Sequence, residues 1–521
     1  MRNTSQKGWM FPMFRRGLHV VGLLISLAVT AQEMHVHPAP EKLGEVSFPI
    51  SCKRSVQQEF DRAVALLHSF AYTAAQQAFR GVAEHDPGCA MAHWGVAMTY
   101  YHQLWDPAIA TSSIASAQQE IEQAVRIGSA TERERGFVQA AALVFQDAIT
   151  VPYPTRRQNY EQAMAELASK SKNDVEVQAF YALALLSNAS PTDKTHIKQK
   201  AAADVLEPLY RAYPSHPGIP HYLIHAYDNA ELASRGLPAA RAYSLIAPSA
   251  PHALHMPSHI FTRLGLWDDS IASNVAARDA AHKAGDLGEE LHAMDYLVYA
   301  YLQTGHDAEA AQVIEQLKAM PKSSRGDFKA GYAATAMPIR YAVERRQWAE
   351  AANIVPPLSG PPHVIAIAVW ARGLGEARSG RPGEAVATVG DLQRIEDQLQ
   401  AGDAYWAAQV KIMKREVIAW SAQAEGKHDD AVTRMREAAD EEDAIEKLPV
   451  TPGPIVPARE QLGELLLEQG HPELAYIEFS TALVNTPGRR GALRGVTQSA
   501  ERMRSANVAV GWQPTGSELN N

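Results

Sequence analysis

Cysteine, long apolar runs and clusters of basic residues are scarce in this sequence. Only two of its 521 residues are cysteine, which excludes a small fold held together by several disulfides. Hydrophobic residues make up 46% and charged residues 21%, a balance that excludes collagen-like and globally disordered chains. The sequence also lacks a GxSxG elbow, a P-loop and a GxGxxG motif after a strand. It therefore carries no common sequence signature of hydrolases or nucleotide-binding enzymes.

The first 31 residues have the features of a secretory signal peptide. Arg15 and Arg16 precede a short apolar run over residues 17–29, and Val29-Thr30-Ala31 offers small residues for a cleavage site. The alternative is a membrane anchor, but the run is shorter than the ~20 apolar residues that span a bilayer. We therefore expect an exported protein, periplasmic or secreted, that does not insert into a membrane once the signal is removed.

The mature chain is expected to be acidic. Residues 1–31 carry four basic and no acidic side chains, so their removal changes the formal net charge from −9 to −13. An acidic chain without runs of lysine or arginine is not typical of nucleic-acid-binding proteins. We therefore expect no nucleic acid among its partners.

The two cysteines, Cys52 and Cys89, have two interpretations. In an exported chain an even number of cysteines permits a disulfide, whereas isolated cysteines are also common as buried free thiols. The predicted export favours a disulfide that ties the N-terminal segment to the first helices.

Ala, Leu, Glu and Gln are abundant and no sustained alternating pattern occurs, which predicts an all-α fold. One spacing recurs: a small residue, a large one four positions later, an apolar one three further on, and proline five after that. The four complete copies are Ala75/Phe79/Val82/Pro87, Ala202/Leu206/Leu209/Pro214, Ala239/Tyr243/Ile246/Pro251 and Ala475/Phe479/Ala482/Pro487. The small residue permits close helix packing and the proline ends the second helix of a pair.

This pattern resembles the tetratricopeptide repeat, a 34-residue helix–turn–helix unit. The resemblance implies a superhelical solenoid of about eight or nine repeats, with a concave groove as the usual ligand surface. The predicted organisation is a signal peptide (1–31), an N-terminal segment (32–55), a repeat array with a His-rich groove (56–355), a C-terminal repeat array (356–500) and a flexible tail (501–521). The proline-rich stretch over residues 448–457 is expected to connect two repeats.

Histidine is concentrated in one part of the predicted groove. The chain has 20 histidines, and six of them fall within residues 216–259. The pairs His221/His255 and His225/His259 are each separated by one repeat length, so they occupy equivalent positions on neighbouring first helices. Asp228 and His252 lie at helix-face spacings from these pairs.

Imidazoles four residues apart on a helix can chelate a metal ion, and two such pairs on adjacent helices could converge on one ion or on two. The predicted ligands are His221, His225, His255 and His259, with His252 and Asp228 as auxiliary groups. Imidazole with a carboxylate suits copper or zinc, and iron is also compatible. The alternative is that these histidines are packing or polar residues of the repeat core.

A possible second site contains His68, His93 and His102, because His68 and His102 are also one repeat length apart and His93 lies close to His102 in sequence. Two functions remain open. The groove could hold a transition metal for oxidative or hydrolytic chemistry, or it could be a non-catalytic scaffold that binds a peptide, a protein segment or a small molecule.

Overall fold

A computed structural model describes residues 41–104, 108–321 and 328–511 of the chain, and throughout these ranges it is helical and without strands. A 3₁₀ turn over Arg54–Val56 precedes the first helix. The α-helices are α1 (Gln57–His68), α2 (Tyr72–His85), α3 (Ala90–Met98), α4 (Thr111–Ile127), α5 (Glu132–Phe145), α6 (Tyr153–Lys170), α7 (Val175–Ser187), α8 (Ile197–Ala212), α9 (Gly218–Tyr227), α10 (Ala233–Ile246), α11 (Pro251–His255), α12 (Pro257–Arg263), α13 (Trp267–Ala284), α14 (Leu287–Thr304), α15 (Asp307–Ala319), α16 (Phe328–Glu344), α17 (Trp348–Ala352), α18 (Pro362–Arg378), α19 (Pro382–Gln400), α20 (Ala404–Ala424), α21 (His428–Asp443), α22 (Ala458–Glu468), α23 (Pro472–Asn485) and α24 (Arg490–Gly511).

Consecutive helices pack as pairs, and the first helix of most pairs also contacts the first helix of the next, as α7 does with α9 and α18 with α20. If α11 and α12, which both pack on α13, are counted as one first helix, the described residues contain eleven pairs, followed by α24. The number exceeds the predicted eight or nine because the stretches near residues 104–200 and 320–450, where the repeat spacing is irregular, also fold into pairs. The all-α, tetratricopeptide-type array predicted from the sequence is confirmed.

Glycine and aromatic residues explain how neighbouring helices, within a pair and between pairs, come so close. Phe79 of α2 is fully buried and packs on Gly95 of α3, where any Cβ would overlap the ring. Phe479 of α23 stands in the same relation to Gly463 of α22. The missing side chain thus provides the space for the large residue of the repeat.

The described part of the N-terminal segment is tightly packed, although it contains little regular structure. Phe48 is fully buried against Phe60, Trp94 and Phe137. The structure also joins Cys52 to Cys89 in a disulfide, which connects this segment to the start of α3. These contacts cover the end of the array, where a terminal repeat has no neighbour.

The connection between α21 and α22, which we call the crossing segment (residues 444–457), lies against several distant repeats. The Glu446 amide donates to the carbonyl of Pro191 at 2.7 Å, and the Tyr296 hydroxyl donates to the carbonyl of Thr451 at 3.3 Å. Arg340 of α16 donates to the carbonyls of Gly453 and Pro454. The predicted inter-repeat connection therefore also makes long-range contacts with the α7–α8 loop, α14 and α16.

Several domain predictions concern residues at the margins of the described structure. The predicted signal peptide (1–31) lies outside the described residues, as do residues 512–521 of the predicted tail, whereas α24 extends to Gly511. The predicted boundary at residues 355/356 falls within one compact unit, Lys42–Asn521. None of the described helices combines the length and the apolar character needed to cross a membrane.

Candidate metal centre

Six buried or half-buried histidines from four helices form two adjoining clusters. The first triad consists of His221 and His225 of α9 and His252 of α11; the second consists of His255 of α11, His259 of α12 and His292 of α14. Within each triad, one ring nitrogen of every histidine lies within 4.8 Å of the other two. The triads touch, because the ring centroids of His225 and His259 are 6.1 Å apart.

The helix geometry accounts for this convergence. His221 and His225 are four residues apart, so α9 presents both rings on one face. Met256 has helical backbone angles and Pro257 occupies the first position of α12, where a missing amide hydrogen costs nothing. As a result α11 and α12 continue the same helical path, and His255 and His259 also share a face.

Hydrogen bonds to Nδ1 fix the orientation of four of the six rings. His221 Nδ1 lies 2.6 Å from the carbonyl oxygen of His68, and His255 Nδ1 lies 2.7 Å from Asn274 Oδ1. The Nδ1 atoms of His252 and His259 are 3.0 and 2.8 Å from carboxylate oxygens of Glu289 and Asp228. Each partner is an acceptor, so Nδ1 carries the hydrogen and Nε2 of the neutral ring carries the lone pair.

Two pairs of Nε2 atoms then face each other at close range. His255 Nε2 lies 3.0 Å from His259 Nε2, and His221 Nε2 lies 3.1 Å from His225 Nε2. In His255 and His259 both Nδ1 atoms donate to an acceptor, so both Nε2 atoms carry lone pairs. These lone pairs point at each other unless a proton or a cation lies between them. Nitrogen ligands on one tetrahedral metal ion are roughly 3.3 Å apart, given metal–nitrogen distances of about 2.0–2.1 Å. The observed spacing is close to that value.

A proton does not resolve the conflict at neutral pH. Burial, together with neighbouring histidines, lowers the pKa of His221, His225 and His255 well below the usual value. Burial also lowers the pKa of His259 to about 4, despite the nearby Asp228. These rings are therefore neutral at pH 7, the state in which imidazole binds a metal.

Asp228 follows the last residue of α9 and organises the charges beside the second triad. Its carboxylate accepts from His259, from Arg263 Nε at 2.9 Å and from Lys447 Nζ of the crossing segment at 2.7 Å. Burial alone would raise the pKa of Asp228, but Lys447 and Arg263 hold it well below the usual range. Burial lowers the pKa of Lys447 to about 8. Asp228 thus links the crossing segment to a histidine of the centre.

The structure places the four principal histidines in two adjoining triads. It also separates the two auxiliary groups that the sequence predicts, His252 and Asp228. His252 joins the first triad, whereas Asp228 belongs to neither and instead receives the hydrogen bond from His259. His292 completes the second triad and is not among the predicted ligands. It lies 37 residues after His255, outside the 34-residue register, and so the repeat spacing contains no signal for it.

The predicted second site does not form as a cluster of its three histidines. His68 lies instead with Glu176 and His216: His68 Nε2 is 2.8 Å from Glu176 Oε2, and His216 Nε2 is 3.1 Å from Glu176 Oε1. Burial would raise the pKa of Glu176, but His216 and His68 lower it.

The other two histidines of that prediction have different neighbours. His93 Nδ1 is hydrogen-bonded to Glu120 at 2.6 Å, and His102 packs on the ring of Tyr72. The three histidines lie apart because His68, at the end of α1, contacts α7 and α9, whereas His93 of α3 pairs with the half-buried Glu120 of α4. One repeat length of separation does not by itself bring two side chains to a common point.

No protein-family model matches this sequence, and no curated protein is detectably similar to it. Among solved structures it is similar to the APC/C hetero-tetramer Cut9–Hcn1, with 11% identity over 89% of this chain and 78% of that one and a TM-score of 0.36. It is also similar to the P58(IPK) TPR domain, with 11% identity, 87% and 99% coverage and a TM-score of 0.22. For yeast Tom70 the identity is 9%, the coverage 86% and 89% and the TM-score 0.31. These similarities concern the helical fold alone.

Proposed function

We propose that this protein is a metal-binding solenoid in which the two histidine triads hold two transition-metal ions for oxidative or hydrolytic chemistry. The observation that carries the proposal is the pair His255 and His259. Their Nε2 lone pairs face each other at 3.0 Å, while both Nδ1 atoms donate to fixed acceptors. A cation between the rings turns this repulsion into two coordinate bonds.

The chemistry of the donors favours copper or zinc. Both triads offer imidazole nitrogen only, and each leaves coordination positions for water or a substrate. Iron is the weaker choice, because non-haem iron sites of this kind usually include a carboxylate ligand. Asp228 and Glu289 hydrogen-bond to ligand histidines and would offset part of the charge of the ions.

Export to an oxidising compartment is part of the same proposal. The predicted signal peptide (1–31) is one reason for it, and the disulfide between Cys52 and Cys89 is a second. Disulfides persist in the periplasm and outside the cell and are rare in the cytosol.

The alternative is a non-catalytic scaffold that captures a peptide or protein segment in its groove. The crossing segment already lies beside the histidines, because Lys447 and Thr451 are bonded to Asp228 and Tyr296, which both contact His259. A peptide would have to displace this segment or bind elsewhere. The position of this segment therefore supports metal binding over peptide capture at this location.

Elemental analysis of the purified full-length protein, before and after exposure to copper or zinc and desalting, tests the proposal. We expect two ions per chain in the wild type and a loss of at least one in His259→Ala, because the variant removes a ligand of the second triad. His282→Ala is the matched control, since this histidine of α13 is exposed and pairs only with Glu290 in the described structure.

A folded wild-type protein that retains neither metal would contradict the proposal. In that case the histidines are structural groups of the repeat core, and screening for a peptide ligand becomes the appropriate experiment. Equal metal content in His259→Ala and the wild type would place the ions elsewhere and would also refute it.

A further inference from the structure

A cavity adjoins the first triad at His225. Its volume is ≈ 320 Å³, within the range of pockets that bind small molecules. Its walls come from distant parts of the chain: the end of the α3–α4 loop, α6, the α7–α8 loop, the start of α20 and the crossing segment. Three lining residues belong to the metal centre or to the charged groups beside it: His225, Asp228 and Lys447.

Three polar groups of this cavity have no hydrogen-bond partner in the described structure. They are the side-chain oxygens of Gln103 and Gln199 and the Nε atom of Arg157. Gln103 is only 4% exposed, so its amide oxygen does not face open solvent. An unsatisfied buried polar group costs about 1–3 kcal/mol, and a ligand with complementary groups would remove this cost.

Arg157 is the cavity residue best suited to hold an anion. Its Nη1 donates to the carbonyl of Ser187 at 2.8 Å, and its guanidinium lies 5.2 Å from the centre of the Tyr153 ring. No carboxylate pairs with it in the described residues, whereas the other lining cation, Lys447, is bonded to Asp228. The guanidinium is thereby anchored at one nitrogen, and its Nε edge remains for a planar, two-oxygen acceptor such as a carboxylate.

The remaining walls restrict the rest of the ligand. Leu104, Leu186 and Trp406 provide apolar and aromatic surface. The two glutamine oxygens lack a donor in the described structure and would accept hydrogen bonds from a ligand donor. Asp403 and Glu446 also line the cavity, as does Asp228, whose carboxylate is paired with Lys447. Their charges oppose a dianion such as phosphate more than a monoanion.

We infer that this cavity binds a small monocarboxylic acid that has an apolar body and a hydroxyl or ammonium donor, with Arg157 as the carboxylate-binding residue. The ligand would lie beside His225. The inference therefore rests on the proposed function where it names this ligand as the molecule that reaches the metal centre. Binding in the cavity itself requires no metal, and the two ideas can therefore fail separately.

Isothermal titration calorimetry of the chelator-treated full-length protein tests the inference. The probes are 4-hydroxyphenylacetate, L-tyrosine and L-lactate, each compared with its methyl ester, which keeps the body and removes the charge. We expect at least one acid to bind with a dissociation constant below 1 mM and its ester to bind at least tenfold more weakly. Inorganic phosphate tests whether any compact anion suffices.

Arg157→Gln should weaken binding of that acid at least tenfold and leave the ester unaffected, while Arg157→Lys should retain part of the affinity. Arg126→Gln is the control, because this arginine of α4 is exposed and bonds only to Gln123 in the described structure. Thermal unfolding of each variant identifies any loss of fold.

Three results would overturn the inference: no binding of any acid at 10 mM, equal affinity for acid and ester, or tighter binding of phosphate than of every acid. Carboxylate binding by a chain that never retains metal would leave the cavity assignment standing and refute the metal proposal instead.

Discussion

Asp228→Asn is the most informative single change near the centre, because it removes a charge while keeping the shape of the side chain. In the wild type the carboxylate is bonded to Lys447, Arg263 and His259, and the side chains of Lys447 and Asp228 are 8% and 6% exposed. The asparagine leaves the buried Lys447 without its anion, while Arg263 keeps only its longer contact with Glu446 at 3.5 Å. Breaking a buried ion pair by removing one partner costs about 3–5 kcal/mol.

We therefore expect the free energy of unfolding of the metal-free protein to fall by about 3–5 kcal/mol, measured by urea denaturation monitored by circular dichroism. The double variant Asp228→Asn/Lys447→Met should recover part of this loss, since it no longer buries an uncompensated ammonium group. Asp279→Asn is the control, because its pair with Arg278 is at the surface, where such pairs contribute about 0–1 kcal/mol.

The same variant should weaken metal binding by roughly 10–100-fold, the usual effect of removing a hydrogen-bond acceptor behind a ligand histidine. The asparagine amide no longer specifies that His259 Nδ1 carries the hydrogen. A loss of stability below about 1 kcal/mol would refute the reasoning, because it would mean that Lys447 and Arg263 reach water or another anion when Asp228 is neutral. Unchanged metal affinity would refute the orienting role of the carboxylate.

Two further predictions concern packing and pH. Gly95→Ala should destabilise the fold by about 1–3 kcal/mol in urea denaturation, because the new Cβ overlaps the ring of Phe79, whereas Gly81→Ala on α2, with open space around it, should be neutral or stabilising. His363 stacks on Trp406 and burial lowers its pKa to about 4, below the unfolded value of about 6.5. The unfolded chain then binds more protons, so His363 should remove on the order of 3 kcal/mol of stability as pH falls from 6.5 towards 4, and His363→Gln should flatten the measured stability–pH curve over that interval by about this amount.

Much of the fold was predictable because it depends on short-range patterns. The repeat spacing, with its small residue, large apolar residues and terminal proline, reflects how one helix packs on the next, and Ala75, Phe79 and Val82 are indeed buried in α2. The additional helical pairs were not predicted, because their loops and contacts depart from the 34-residue period. With only two cysteines the partners of a disulfide were fixed, but the sequence also allowed two free thiols, and only the predicted export favoured the bridge between Cys52 and Cys89.

The candidate site also has features that the sequence predicts and features that only the tertiary structure shows. The sequence alone determined that His221 and His225 share one helical face and that His255 and His259 occupy the equivalent positions one repeat later, because helix periodicity and repeat register are local properties. Only the tertiary structure decided that His292 completes the second triad, since its helix, α14, lies one repeat further along and out of register.

Long-range contacts determined the hydrogen-bond and ion-pair partners of the residues around the site. Lys447 reaches Asp228 across 219 residues of sequence, and His68 finds Glu176 across 108. No periodic pattern encodes such pairings, because they depend on how distant helices and the crossing segment come together in the folded chain. The sequence therefore determined which helices carry the histidines, and the folded array determined which side chains surround them.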